Sequence, residues 1–216
     1  MRKKRILCFG DSNTRGVNPT GPRFDEDVRW PMRLQSLLGD GFRVLEEGLG
    51  GRTIALDDPV EGGYRSGMQY LPPCLRSHDP LDLVIIMLGT NDTKRRFALC
   101  AADIAEALAH MVHLCRFYAA DGLGEPSRLL IIAPPPVRPE VMQSPMAGTF
   151  GMGSVEVSGQ LAEAYRRVAD ALRCAYLDAA AHCCASEADG VHLTAAGHLA
   201  LAHAVADKVL EIFKEE

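Results

Sequence analysis

A carboxylate and an imidazole lie three residues apart in the segment DGVH, residues 189–192, near the end of the chain. This spacing lets Asp189 reach the ring of His192 within one bent turn and fix its tautomer, which prepares an imidazole for acid–base chemistry. The chain has seven histidines, and His192 is the one that precedes a helical pattern with an acid three residues upstream. Because an Asp-x-x-His segment alone is typical of a solvated loop, its chemistry depends on a partner elsewhere.

Ser12 is a candidate partner, since it lies in a Gly-Asp-Ser turn directly after the apolar run RILCF at residues 5–9. A serine hydroxyl is a weak nucleophile until a base takes its proton and a third group orients that base. The tripeptide alone is more typical of a helix cap or a turn. If the apolar run is a buried parallel strand, however, Ser12 lies at the edge where open α/β sheets bind ligands.

Acyl transfer also needs hydrogen-bond donors for the oxyanion that develops on the attacked carbonyl. Gly51, in EGLGGRT at residues 47–53, allows its backbone N–H to approach a ligand without an intervening Cβ. Asn91, in GTND at residues 89–92, can offer its side-chain amide. Taken singly, the two are typical of a glycine turn and an Asx turn. Their combination with Ser12, His192 and Asp189 favours catalysis.

The elements that must position these turns alternate along the chain. Apolar runs predict five strands, at residues 5–9, 42–47, 81–88, 128–133 and 174–179. Amphipathic patterns predict helices between them, at residues 28–38, 101–120, roughly 155–172 and 194–213, with Thr194 as the N-cap of the last. Strands separated by helices predict a doubly wound parallel five-stranded sheet, in a three-layer α/β/α fold of flavodoxin type.

Two long stretches, residues 48–80 and 134–154, have no regular pattern apart from a possible short helix in the first. Loops of this length in a compact domain usually carry function or form interfaces. No internal repeat or linker composition divides the chain, so we expect one domain over residues 1–216.

Composition excludes several classes of protein. With 47% hydrophobic residues, 24% charged residues and a net charge of −5, the chain is expected to be globular, without a membrane span and without a nucleic-acid partner. The start MRKKR is followed by too short an apolar run for an export segment. Seven cysteines without a CxxC pair indicate neither a disulfide framework nor a zinc site, so a cytoplasmic location fits best.

Together, GDSNT, EGLGGRT, GTND and DGVH resemble the four sequence blocks of the SGNH hydrolase superfamily, also called GDSL esterases. The resemblance extends from the first predicted strand to the last helix. The segments RILCFGDS, VRW, DDP, YLPPCL and LDLVIIMLGTNDTK are similar to the bacterial arylesterase and acyltransferase branch of that superfamily. Members of this branch hydrolyse small acyl esters, and some transfer acyl groups to alcohols.

The resemblance implies a role for each candidate. Ser12 would be the nucleophile, His192 the general base and then acid, and Asp189 the group that orients it. The backbone N–H groups of Ser12 and Gly51 and the side chain of Asn91 would form the oxyanion hole. The reaction would cleave a small-molecule ester through an acyl-serine intermediate, with no metal or organic cofactor.

Some positions distinguish this chain from the family, and others are candidates for binding the substrate. Gly51 is favoured over Gly50 because it directly precedes Arg-Thr, and Asn13 stands where the family often has leucine, beside the nucleophile. Asn13, Lys94 and Val191 are predicted to bind substrate. The methionine-rich segment 142–152 is a further pocket candidate, although gap filling or an interface is favoured over substrate contact for Met142, Met146 and Met152.

Related acyltransferases carry an aromatic residue near position 15 or 17, whereas this turn reads TRGVNP. If that aromatic side chain shields the acyl-enzyme from water, its absence favours hydrolysis over transfer. Members of the branch also assemble into large homo-oligomers. We therefore expect a homo-oligomer, with an interface formed by the segments around Tyr64–Leu75 and 134–154.

Alternatives stay open at this point. A thioesterase, a lysophospholipase or a carbohydrate acetyl-esterase would use the same groups with a different pocket. A non-catalytic flavodoxin-like module that binds a phosphorylated ligand is disfavoured, because the chain has neither a GxxxxGK[ST] loop nor a GxGxxG fingerprint. An α/β-hydrolase is disfavoured by the absence of a GxSxG elbow.

Overall fold

A computed structural model describes residues 2–214, so residues 1, 215 and 216 of the predicted domain lie outside the described residues. The chain forms a five-stranded sheet in which every neighbouring pair of strands is parallel. The strands are β1 (Lys4–Gly10), β2 (Phe42–Gly48), β3 (Leu83–Met87), β4 (Arg128–Ala133) and β5 (Ala175–Asp178). Each begins and ends within two residues of its predicted bounds.

The strand order is β2-β1-β3-β4-β5, so the direction of winding reverses at β1. This order confirms the predicted doubly wound fold of flavodoxin type, whose ligand crevice lies where the order reverses, at the carboxyl ends of the strands. Gly10 pairs with Gly48 on one side and with Met87 on the other. The turns that follow β1, β2 and β3 therefore start side by side at one edge of the sheet.

Seven helices of the described chain cover the sheet or its carboxyl edge. They are α1 (Ser12–Arg15), α2 (Trp30–Leu38), α3 (Gly67–His78), α4 (Ala101–Tyr118), α5 (Met152–Ser158), α6 (Leu161–Ala171) and α7 (Ala195–Lys214). Thr194 caps α7 as predicted, because its hydroxyl oxygen accepts a hydrogen bond from the N–H of Gly197 at 3.1 Å. No helix among the described residues has both the length and the apolar character needed to cross a membrane.

The apolar side chains of the sheet bury themselves in two layers, one on each face. Leu7 and Phe9 of β1 pack with side chains of α3, α4 and α6. Ile6 and Cys8, which alternate with them, pack with side chains of α2 and α7. Both sides of β1 are thus covered, which explains why the strand is an uninterrupted apolar run in the sequence.

Two helical predictions were wrong in their extent. The helix predicted over 155–172 is two helices, because the chain breaks at Gly159 and redirects its apolar side chains. Val155 of α5 packs on a small cluster of loop residues, whereas Tyr165 of α6 lies in the core beneath the sheet. The possible short helix within 48–80 is the twelve-residue α3, which contains Pro72 and Pro73. Interior prolines remove two helical donors and conceal such a helix in the sequence.

The long loop after β4 is packed on the turn that contains DGVH. Val137, Val141 and Phe150 of the loop form a buried cluster with Val191. The loop is also tied to this turn by hydrogen bonds, since the N–H of Arg138 donates to the carbonyl of Gly190 at 2.8 Å. The irregular stretch 134–154 therefore supports the carboxyl edge of the sheet.

Candidate active site

Ser12 stands at the start of α1, immediately beyond the end of β1. The preceding residue, Asp11, caps this short helix by accepting a hydrogen bond from the N–H of Asn13 at 2.9 Å. The turn is tight, because a Cβ on Gly10 would lie 2.0 Å from the hydroxyl oxygen of Thr14. A residue with a side chain at position 10 would therefore displace the turn that presents Ser12.

The structure places His192 and Asp189 beside Ser12, although the serine lies 180 residues away from the histidine in the chain. The Nε2 atom of His192 is 3.0 Å from the Oγ atom of Ser12. On the other side of the ring, Nδ1 of His192 is 2.6 Å from Oδ2 of Asp189. The three side chains thus form one continuous hydrogen-bonded chain in which the carboxylate can hold a proton on Nδ1 and leave Nε2 to face the hydroxyl.

Asp189 is held as an anion by more than the imidazole. Its Oδ1 atom accepts hydrogen bonds from the backbone N–H groups of Val191 and His192, both at 2.9 Å. Burial acts to raise the pKa of Asp189, but the bonds from the ring and from these two N–H groups hold that pKa below its usual value. A carboxylate that stays charged can stabilise the imidazolium formed when His192 takes a proton.

Asn13 fastens the serine turn to the histidine turn. Its Nδ2 donates to the carbonyl of Val191 at 3.2 Å, and its Oδ1 accepts from the N–H of Leu193 at 2.9 Å. The amide therefore grips the backbone on both sides of His192. Asn13 was predicted to bind substrate, but these two bonds occupy the amide and favour a positioning role.

Asn91 lies between the turns that carry Ser12 and Gly51. Its Nδ2 donates to the carbonyl of Arg52 at 3.1 Å and, over a longer distance of 3.4 Å, to Oδ2 of Asp11. Arg52 and Asp11 are the direct chain neighbours of Gly51 and Ser12. The structure thus brings the three predicted oxyanion donors to one corner of the sheet edge.

Gly51 has a backbone conformation that favours glycine. Its φ angle is 77°, and a Cβ there would lie 2.3 Å from Oε2 of Glu61. Gly50 is different, because a Cβ on it would meet no atom within 4 Å. Only Gly51 of the pair therefore requires the absence of a side chain.

Two buried residues hold the Gly51 turn in place. Arg52 donates from Nη1 to the carbonyls of Gly10 at 2.9 Å and Glu47 at 2.5 Å. Asp92 accepts from the N–H of Ile54 at 2.9 and 3.1 Å. These bonds join the turns after β1, β2 and β3 into one assembly.

Two acids of this assembly are unusually hard to ionise. Burial raises the pKa of Asp11 to about 6, although the N–H of Asn13 and the nearby cationic groups act to lower it. Burial likewise raises the pKa of Asp92 to about 7, and the neighbouring Asp11 adds to the effect. Perturbed carboxyl groups of this kind are typical of functional sites.

Lys94 does not extend a free charge toward the serine. Its ammonium group is buried, 3.0 Å from Oδ2 of Asp58 and 2.6 Å from Oε1 of Glu61. Arg96 completes the cluster with a 2.8 Å contact to Asp58. Lys94 was predicted to bind substrate, but binding would require it to leave two carboxylates. The contacts favour a structural role in anchoring the loop before α3.

Val191 and the methionines lie near the carboxyl edge in different environments. Val191 is buried in the loop cluster described above, and Met146 packs against that cluster. Met142 and Met152 instead line an open cavity of about 640 Å³ together with Lys94 and Arg95. Contact of Val191 with a substrate stays a prediction.

Arg52, Asp92 and Asp11 are site residues for which the sequence pattern predicted no role. All three stand inside the quoted motifs, so their positions were visible in the sequence. Their burial was not, and neither were the bonds from Arg52 to Gly10 and from Ile54 to Asp92, because these bonds join residues that are far apart in the chain. The one sequence signal for these three residues is that each is a charged residue directly beside a glycine or asparagine of a motif.

Residues 8–200 match the GDSL-like lipase/acylhydrolase family. The chain belongs to this family. Its structure is similar to that of a carbohydrate acetylesterase from Sinorhizobium meliloti, with a TM-score of 0.88 and 40% identity, over 98% of this chain and 100% of that one. It is equally similar to the native aryl esterase of M. smegmatis, with a TM-score of 0.88 and 40% identity, over 96% of this chain and 99% of the other.

A sequence relative of this GDSL-family chain is an acetylxylan esterase from Xylanibacter ruminicola, 30% identical over 120 residues. The match covers 52% of this chain and 22% of that protein, so the chain spans only a small part of that relative's length. The resemblance to GDSL esterases is thus confirmed, and family and relatives indicate a hydrolase that acts on ester bonds.

Proposed function

We propose that this chain is a serine esterase that cleaves small carboxylic esters through an acyl-serine intermediate. The observation that supports this most is the hydrogen-bonded chain from Oγ of Ser12 through His192 to Asp189, with distances of 3.0 and 2.6 Å. A hydroxyl, a base and an orienting acid in this order are the requirements for an activated serine.

In the proposed mechanism, Nε2 of His192 takes the proton of Ser12 as Oγ attacks the ester carbonyl. Asp189 stabilises the imidazolium that results. The imidazolium then gives its proton to the departing alcohol, and the acyl group stays on Ser12 as an ester. Water, deprotonated in turn by His192, attacks this ester and releases the acid and the free hydroxyl.

The negative charge on the carbonyl oxygen would be bound by the N–H groups of Ser12 and Gly51 and by Nδ2 of Asn91. The amide of Asn91 already donates to Arg52 and, weakly, to Asp11. We propose that the longer of these bonds, at 3.4 Å to Asp11, is the one replaced by the oxyanion. Its replacement costs little, because a bond of that length is weak.

Burial of the reacting groups supports a short acyl chain. Ser12 is 6% exposed and His192 is 8% exposed, so the reacting groups are almost enclosed by protein. We therefore propose esters of short acids, of which aryl acetates are the simplest examples.

The test is turnover of a nitrophenyl acetate by the native protein and by Ser12→Ala and His192→Ala. Each substitution is expected to lower kcat about 10⁴-fold or more. Ser36→Ala is the matched control, since this exposed serine donates only to the carbonyl of Met32. Native turnover in Ser12→Ala, with the control also active, would show that the ester is cleaved elsewhere.

A carbohydrate acetyl-esterase is the second candidate, because two of the relatives act on such esters by name. Rates on a panel of aryl acetates, acetylated xylan oligosaccharides, acyl thioesters and lysophospholipids separate the alternatives. We expect short aryl and sugar acetates to react and long-chain lysophospholipids not to. Turnover limited to long acyl chains would contradict a short-acyl pocket.

Hydrolysis is proposed to exceed acyl transfer, since the segment after Ser12 carries Arg15 and Val17 and no aromatic side chain. The ratio of acid to transferred ester, measured in water with added alcohol, tests this. Ester as the dominant product would overturn the idea.

A further inference from the structure

Three potential metal ligands meet beside the sheet, outside the serine site. Glu47 comes from the end of β2, and Cys74 and His78 come from α3. One ligand atom from each lies within 4.8 Å of the others. Nε2 of His78 is already 2.9 Å from Oε1 of Glu47. No part of the proposed ester cleavage uses these three side chains.

Secondary structure explains why they meet. Residues four apart on a helix share one face, so Cys74 and His78 point in the same direction from α3. The guanidinium of Arg5 donates to the carbonyl of His78 at 2.9 Å and fixes the end of this helix. Glu47 is fixed too, because Arg52 donates to its carbonyl at 2.5 Å. The ligand-bearing backbone is therefore held from both sides.

We propose that Glu47, Cys74 and His78 bind one Zn²⁺ ion. Sulfur, nitrogen and oxygen donors in combination are the ligands that zinc prefers, whereas Mg²⁺ and Ca²⁺ select oxygen alone. In a tetrahedral site with bonds of about 2.0–2.3 Å, ligand atoms lie roughly 3.3–3.8 Å apart. The three ligand atoms lie within 4.8 Å of one another, which is close to these separations.

Charge balance supports an ion at this position. A thiolate and a carboxylate together neutralise a dication, so the occupied site carries no net charge of its own. At neutral pH a free cysteine keeps its proton, so the metal-free site holds a neutral thiol. Binding of Zn²⁺ replaces this proton, the sulfur–hydrogen bond is exchanged for a sulfur–zinc bond, and one proton leaves to solvent.

An ion can reach the site from a cleft of about 550 Å³, which Glu47 lines together with Arg52, Tyr64 and Tyr70. Glu47 and His78 are partly exposed, whereas Cys74 is buried. The hydroxyl of Tyr70 donates to the second oxygen of Glu47 at 3.2 Å and orients the carboxylate. The fourth zinc ligand would be a water molecule from this cleft.

The experiment uses reduced, tag-free protein that has been treated with a chelator. Titration with Co²⁺, a spectroscopic substitute for Zn²⁺, is expected to give a thiolate-to-metal absorption band that saturates at one equivalent. Zn²⁺ should abolish the band by displacing Co²⁺. Glu47→Gln preserves the shape of the side chain and is expected to weaken binding at least tenfold. Cys74→Ala should remove the band.

Controls separate this site from other thiols and histidines. Cys115→Ala removes another buried cysteine and should leave the band unchanged. His113→Gln alters a second cleft, on α4, that also contains His110, Asp103 and Glu106. The proposal is overturned if native protein binds no Co²⁺ through sulfur, if folded Glu47→Gln binds as tightly as native protein, or if the band depends on His113.

Discussion

At the scale of single residues, Asn13 shows how this chain joins its nucleophile to its base. Its amide holds the backbone on both sides of His192, through bonds of 3.2 and 2.9 Å to Val191 and Leu193. The family often has leucine at this position, which cannot make either bond. A leucine at position 13 would leave the carbonyl of Val191 and the N–H of Leu193 without this partner.

Asn13→Ala is expected to lower kcat about 10- to 100-fold with little change in KM, since it leaves His192 less well positioned without removing it. The carbonyl of Val191 and the N–H of Leu193 also lose their hydrogen-bond partner. Each loss lowers the free energy of unfolding by about 1–3 kcal/mol when water cannot replace the partner. Asn13→Asp retains the acceptor for Leu193 and should give an intermediate kcat. Steady-state kinetics and urea unfolding measure both effects. A raised KM with native kcat would instead indicate that Asn13 contacts the substrate.

At the scale of elements, the sheet edge was predictable because its signals are local. Apolar runs ended in GDSNT, EGLGGRT and GTND, and parallel strands must bring such turns to one edge. The ion cluster of Lys94 with Asp58 and Glu61 was not predictable, since Lys94 lies more than thirty residues from both acids. The same holds for the extent of α3, whose two interior prolines oppose a helix locally while tertiary packing maintains it.

The Gly50-Gly51 pair offers a test of the turn after β2. Gly51→Ala is expected to lower kcat at least tenfold and to destabilise the fold by about 1 kcal/mol or more. The positive φ of 77° disfavours alanine, and the new Cβ would displace the carboxylate end of Glu61, which pairs with Lys94. Gly50→Ala is the matched control, because space is open around that position. Kinetics and thermal unfolding of the two variants are compared. Equal loss of kcat in both would remove the reason for assigning the oxyanion donor to Gly51.

At the scale of the whole molecule, buried acids make stability depend on pH. The pKa of Asp92 is raised to about 7 by burial, whereas an unfolded aspartate ionises near 4. At pH values between about 4 and 7, the carboxyl of Asp92 is protonated in the folded state and ionised in the unfolded state. The free energy of unfolding should therefore fall as pH rises across this window, by up to about 1.4 kcal/mol per pH unit for this residue.

Asp92→Asn should flatten this decline between pH 5 and 7, because the amide does not titrate. Urea unfolding at pH 5, 6, 7 and 8 measures the slope. Asp27→Asn, at an exposed position, serves as the control and should keep the native slope. If the Asp92 variant keeps it as well, the buried carboxyl does not govern the dependence and Asp11 is the next to be replaced.

Assembly is the remaining question at this scale, and the segment before α3 bears on it. This segment exposes large apolar side chains, with Val60 73% and Tyr64 87% exposed. The ion cluster of Lys94, Asp58 and Glu61 holds it rigidly against the body of the molecule. We propose that a second copy of the chain covers Val60 and Tyr64.

Light scattering after size-exclusion chromatography is expected to give a native mass that is a multiple of 23.4 kDa. The double variant Val60→Ser with Tyr64→Ser should shift toward the mass of one chain, because it removes apolar area without touching the ion cluster. Leu123→Ser removes a side chain that is 89% exposed in the connection between α4 and β4, and it should leave the mass unchanged. A native protein that elutes with the mass of a single chain would refute the proposed interface, and an unchanged oligomer in the double variant would place the interface elsewhere.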